Sequence, residues 1–166
     1  MEKVRGRARK FGDNIDTDTI TPAPTLHLPP EEMKRHAFEP IKPNFCETVK
    51  QGDIIVAGHN FGCGSSREQA TDVVRELGIR YIVCESMARI YFRNCIALGL
   101  YPIMANGVSS MFNEGDEVEI DLAQGVVKNP KISESASFKP LVGTTKELLE
   151  GGGILPVLKR IVEESQ

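Results

Sequence analysis

The sequence predicts an α/β fold: a short parallel strand–helix–strand core with an added β-hairpin. Three observations carry that expectation. Residues 53–57 form a short apolar, β-branched run, a glycine-rich turn follows, and Ala70, Val73, Val74 and Leu77 then recur at helical spacing. The alternation repeats: Ile79, Tyr81, Ile82, Val83 and Cys84 read as a second buried strand, residues 87–98 as a helix, and residues 100–105 as a third short strand. Such crossovers place strands parallel. Beyond them residues 116–121 alternate at period two and residues 126–128 lie past a turn at Gly125, the pattern of a hairpin with one wet face.

The remaining elements follow in chain order. Residues 4–11 read as an opening strand of weak alternation. Residues 12–22, rich in Asp and Asn, read as an irregular loop, because those side chains hydrogen-bond nearby amides. Residues 22–30 hold four of the ten prolines and read as an exposed loop that excludes a regular helix or a central strand. Residues 30–38 predict a short helix with acids in its first turn and bases in its last. The helix after the glycine-rich turn is expected over residues 65–77, with Gly78 closing it. Residues 144–164 predict two helical pieces around Gly151, Gly152 and Gly153, with Ile154, Leu155, Leu158, Ile161 and Val162 on one face.

At 166 residues the chain is expected to form a single domain, 1–166, able to bury a core without disulfides or metals. Hydrophobic residues make up 40% and charged ones 26%, and the net charge of -3 argues against general binding of nucleic acid or membrane surfaces. The charged start leads into no apolar segment, so a cytoplasmic protein is expected. Cys46, Cys63, Cys84 and Cys95 form no CxxC pair and match no zinc or iron–sulfur spacing. No metal is expected on this chain.

The chemistry concentrates in residues 58–70, from Gly58 to Ala70. Glycines at a strand-to-helix junction let an anion approach backbone N–H groups, and Arg67 adds a two-pronged donor that fits a carboxylate. Ser65 and Ser66 lie beside such an acid. The competing reading makes Ser65 a helix cap only, since residues 65–68 have the spacing of a capping box. The turn lacks the lysine of a nucleotide-binding P-loop, and neither serine is centred in GxSxG. His27, His36 and His59 are each more often surface or structural groups than bases, and Cys63 reads as small filler. Asp13, Asp16 and Asp18 resemble cation ligands in spacing but lack the glycine and terminal glutamate of an EF-hand.

Three segments together, 13–22, 58–68 and 85–94, resemble the small subunit of the 3-isopropylmalate dehydratase and homoaconitase group, which corresponds to the swivelling C-terminal domain of aconitase. The resemblance implies a swivelling β/β/α fold. It also implies a hydro-lyase active only with a large subunit that carries a [4Fe–4S] cluster through three cysteines, with a malate-type di- or tricarboxylate as substrate. By position, Ser65 would be the base, Ser66 and Arg67 would hold a substrate carboxylate, Asp18 would support proton transfer, and Thr21 would contact substrate. Glu68 and Arg89 would be supporting groups, with a plain salt bridge as the other reading of Arg89. The loop that reads the substrate's variable side chain would be Thr25, Leu26, His27 and Leu28. It lacks the arginine that homoaconitase-type relatives use for a third carboxylate, so an apolar substituent such as isopropyl is expected, which points to leucine biosynthesis. Homoaconitase, methylmalate and dimethylmalate dehydratases remain alternatives within the class, and a non-catalytic carboxylate-binding module is the alternative outside it.

Overall fold

The computed structural model describes residues 3–166; Met1 and Glu2, at the start of the expected domain, lie outside them. Seven strands, β1 (Lys3–Lys10), β2 (Ile54–Ala57), β3 (Tyr81–Cys84), β4 (Tyr101–Met104), β5 (Glu117–Asp121), β6 (Val126–Asn129) and β7 (Glu134–Ser137), form one sheet in the order β4-β3-β2-β1-β5-β6-β7. The helices are α1 (Thr17–Ile20), α2 (Pro30–Met33), α3 (Phe45–Thr48), α4 (Gln69–Glu76), α5 (Arg89–Leu98), α6 (Val108–Met111), α7 (Gly143–Glu150) and α8 (Ile154–Glu164).

β1 is the seam of the sheet. Its first part runs antiparallel to β5, from Lys3 opposite Asp121 to Arg7 opposite Glu117. Its last part runs parallel to β2, from Ala8 opposite Ile54 to Lys10 opposite Val56. β2, β3 and β4 continue in parallel, and β5, β6 and β7 form an antiparallel meander. β2, buried at every position, needs no alternation because both of its faces are covered. Ile55, Ala57, Ile82 and Cys84 face α4, α5 and the aromatic trio Phe11, Phe38 and Phe45. Ile54, Val56, Val83 and Ile103 face α6 and the inward residues of the meander.

The expected parallel core and hairpin are present, with several differences. The hairpin gains a third strand, β7, whose only buried residue is Ala136. The helix expected over residues 65–77 starts four residues later, at Gln69, with Glu68 at its N-cap and no side-chain cap. The helix expected over residues 30–38 breaks: α2 gives way to a 3-10 turn, Lys34–His36, and Phe38 takes a φ of +59°. That turn drops the Phe38 ring into the core, 4.4 Å from Phe11 and 5.1 Å from Phe45 between centroids. The Asx-rich loop contains α1, because Asp16 caps it by accepting the Thr19 N–H at 2.7 Å. The proline-rich loop is less exposed than expected: it forms a 3-10 turn, Ala23–Thr25, buries Thr25 and rests Leu28 on the core.

Candidate active site

Backbone hydrogen bonds stitch the three motif segments together at the carboxyl ends of the parallel strands. Gly62 N–H donates to the Ile15 carbonyl at 2.7 Å, Thr17 N–H to Cys63 at 2.9 Å, and Asn14 N–H to His59 at 2.8 Å. On the other side Phe61 N–H donates to Ser86 at 3.0 Å, and Ala88 N–H donates to Phe61 at 2.9 Å. The glycine-rich segment is thus the middle of three. Gly58 is required because a Cβ there would lie 1.8 Å from Asp13 Oδ1, the atom that accepts the His59 N–H at 2.7 Å. Gly62 has a φ of +76°, and a Cβ on it would lie 2.2 Å from Cγ of Tyr91.

Beyond Gly64 the chain crosses a cavity of about 320 Å³ before entering α4. One wall is made by Thr17, Gly62, Gly64, Ser65 and Arg67, and the other by the first turns of α5, from Ala88 to Tyr91 with Asn94. Ser65 and Ser66 are exposed and lie outside the helix, so the capping-box reading of Ser65 fails. Arg67 donates to the largely exposed carboxylate of Asp18. Two motif residues 49 positions apart therefore meet at the edge of the cavity, which Arg67 lines and Asp18 does not.

Nothing in the sequence alone singles out Thr17. It is 2% exposed, its hydroxyl has no hydrogen-bond partner, and it lines the cavity within 3.3 Å of the place where a Gly64 Cβ would stand. A buried hydroxyl left unpaired costs about 1–3 kcal/mol, which a bound polar ligand removes. Only its place between Asp16 and Asp18 could have drawn attention to it. Thr21 is wholly buried at the end of α1, its hydroxyl also unpartnered, and it is not part of the cavity wall. Leu26 and Leu28 are half-buried and His27 is exposed, and none of the three lines the cavity. Arg89 is exposed and makes no ion pair among the described residues, which removes the salt-bridge reading. His36 pairs with Glu39 at 3.0 Å, and His59 lies exposed on the turn.

Four titratable groups of β3, α5 and the turn between them are each held in one charge state, and Tyr91 alone of them lines the cavity. Tyr91 is buried, its hydroxyl donates to the Ala70 carbonyl at 2.9 Å, and burial holds its pKa well above 10, so it stays a neutral strut between α5 and α4. Burial raises the Glu85 carboxyl, but the Ser109 amide and hydroxyl and the Gly107 amide outweigh it, and the group sits below its usual range. Burial also pushes the Cys84 thiol up to about 12 and raises Cys95 well above its usual value, so neither supplies a thiolate. Among the described residues no three His, Cys, Asp or Glu side chains gather as metal ligands, so they do not fit an iron–sulfur cluster. A second hollow of about 710 Å³, walled largely by apolar residues between β4, Leu122 and α7, shares no residue with the first.

A mixed sheet with a glycine-rich turn across the carboxyl ends of its parallel strands makes the protein a small α/β domain with its candidate site at one end of the sheet. The chain belongs to the aconitase C-terminal domain family, which matches residues 7–107. It is 45% identical to the isopropylmalate/citramalate isomerase small subunit of Methanocaldococcus jannaschii, over 98% of each chain. It is 48% identical to the 3-isopropylmalate dehydratase small subunit of Pyrobaculum calidifontis, over 94% of this chain and 97% of that one. A methanogen homoaconitase small subunit from M. jannaschii is 43% identical over 95% of this chain and 92% of its own length. The crystal structure of a 3-isopropylmalate dehydratase from M. jannaschii superposes with a TM-score of 0.90 at 42% identity, covering 99% of this chain and 98% of that one.

Proposed function

We propose that the chain is the small subunit of a 3-isopropylmalate dehydratase, which interconverts 2- and 3-isopropylmalate by loss and return of water together with a large subunit. The supporting observation is the presence of Ser65 and Arg67 on one small cavity, with Asp18, from a segment far away in sequence, bound to Arg67. In this reading Arg67 and Ser66 hold a substrate carboxylate, which fixes the adjacent carbon against Ser65. The Ser65 alkoxide takes the carbon-bound proton, the double bond forms as hydroxide leaves the neighbouring carbon, and addition in the reverse sense returns water at the other position. The acceptor for hydroxide is not supplied by this chain; the [4Fe–4S] cluster expected on the large subunit would provide that Lewis acid. Asp18 orients Arg67 and takes part in the proton network. A cytoplasmic location suits a biosynthetic enzyme of this kind.

Although Leu26 and Leu28 stand outside the cavity in the isolated chain, the loop that the resemblance assigns to the substrate's side chain carries them and no arginine, which suits an apolar substituent over a third carboxylate. The name of the M. jannaschii homoaconitase relative keeps a tricarboxylate as the second reading. Anaerobic mixing with the cognate large subunit, followed by absorbance of the unsaturated intermediate, separates them by comparing isopropylmalate, homocitrate, citramalate and dimethylmalate. The fastest kcat/KM is expected with isopropylmalate. Ser65→Ala should lower kcat roughly 10³-fold without preventing assembly. Unchanged turnover in that variant would remove Ser65 from the chemistry.

A further inference from the structure

The first turn of α5 carries a charge pattern that a free helix disfavours. Arg89 occupies the first helical position, where the partial positive charge of the helix end repels a cation, and no acid stands in that turn to offset it. Arg93 follows four residues later, within reach of the same like charge. Both are exposed, and among the described residues neither makes an ion pair or hydrogen bond. Between them Ile90 is 50% exposed. Two unpaired guanidinia around an exposed isoleucine match the composition of protein interfaces, where arginine and apolar anchors are enriched.

Its position adds the occupant. Arg89 and Ile90 form the lip of the Ser65 and Arg67 cavity, while Arg93 lies outside it. Resting on the reading that a large subunit completes this site, we propose that the α5 lip is the docking edge for that subunit. Arg89 and Arg93 would meet carboxylates there that surround an apolar socket for Ile90. A substrate dianion is the poorer occupant: it is smaller than the patch, has no use for an outward isoleucine, and cannot reach Arg93 outside the cavity. The locally unfavourable charges are then a cost in the free chain that the complex relieves.

The test measures association of the full chain with the large subunit by calorimetry or sedimentation at low and high salt. The wild-type affinity should fall with salt, and Arg89→Glu/Arg93→Glu should weaken it about tenfold or more and flatten the salt dependence. Ile90→Asp should weaken it with the salt dependence kept. Folding is controlled by the isolated chain: placing an acid at the helix start should raise its Tm by about 1–3 °C. Arg93→Glu should regain wild-type kcat at saturating large subunit, as mass action requires. Affinities within twofold of wild type, or a raised substrate KM with unchanged assembly, would overturn the proposal. A wild-type complex that forms but lacks isopropylmalate activity would sink the functional reading and leave the docking edge standing.

Discussion

Asp53 shows how a single side chain anchors the insert that precedes the site. Arg7 holds its carboxylate through two donors at 3.1 and 2.7 Å, Arg9 approaches at 3.3 Å, and the Lys50 amide donates at 2.9 Å. The same arginines reach the Thr48 carbonyl and hydroxyl, so β1, β2 and α3 are tied at one point. Burial alone would raise the Asp53 pKa, but the hydrogen bonds from Arg7, the Lys50 amide and Arg9 hold it below its usual value. A depressed carboxyl adds stability that is fully present above its unfolded value, about 3.9, and is lost as pH falls through the folded one. Asp53→Asn should therefore cost about 3 kcal/mol at neutral pH, read from denaturant midpoints, with the gap to wild type shrinking below about pH 4. A gap that stays constant into acid would contradict this account. At this scale the sequence identified Arg67 and Asp18 separately by motif, but not their contact or the orphaned hydroxyl of Thr17, because both depend on segments that meet only in the fold.

Among elements, the glycine turn is the one whose geometry the site cannot lose. Gly62→Ala must accommodate both a positive φ and a Cβ driven into Tyr91, a buried ring held in place by the bond from its hydroxyl to the Ala70 carbonyl. A loss of about 2–4 kcal/mol is expected, together with reduced turnover of the assembled enzyme at temperatures where the variant is still folded. Normal kcat in a destabilised variant would show that the turn sets stability alone. Elements with a strong periodic signal, β2, β3, α5 and the last two helices, were legible. β7 was not, because Glu134, Ser135 and Ser137 face solvent and Ala136 alone faces the core, which leaves almost no apolar alternation to detect. The start of α4 was misplaced for a different reason: Ser65 and Glu68 imitate a capping box, while the chain between them spans the cavity unwound.

For the whole molecule, the mixed sheet was only half legible, since no local pattern tells β1 to pair with β5 in one part and β2 in the other. Size does not locate the chemistry either; the larger, apolar hollow takes Phe92 alone from the motif segments and none of the candidate site residues. On the proposed function the smaller cavity is half of a divided site, so the isolated chain should bind malate-type acids weakly.

The contact between Arg67 and Asp18 gives that weakness a second source. If Arg67 holds the substrate carboxylate as proposed, Asp18, tethered in the same chain, is an internal competitor at high effective concentration, and an incoming acid meets only the fraction of molecules in which Arg67 is released. On the proposed role of Arg67, Asp18→Asn should bind malate-type acids more tightly as an isolated chain, by calorimetry, while the assembled enzyme turns over more slowly. Affinity and rate would then move in opposite directions from one substitution, and a parallel loss of both would show that Asp18 does not compete for the guanidinium.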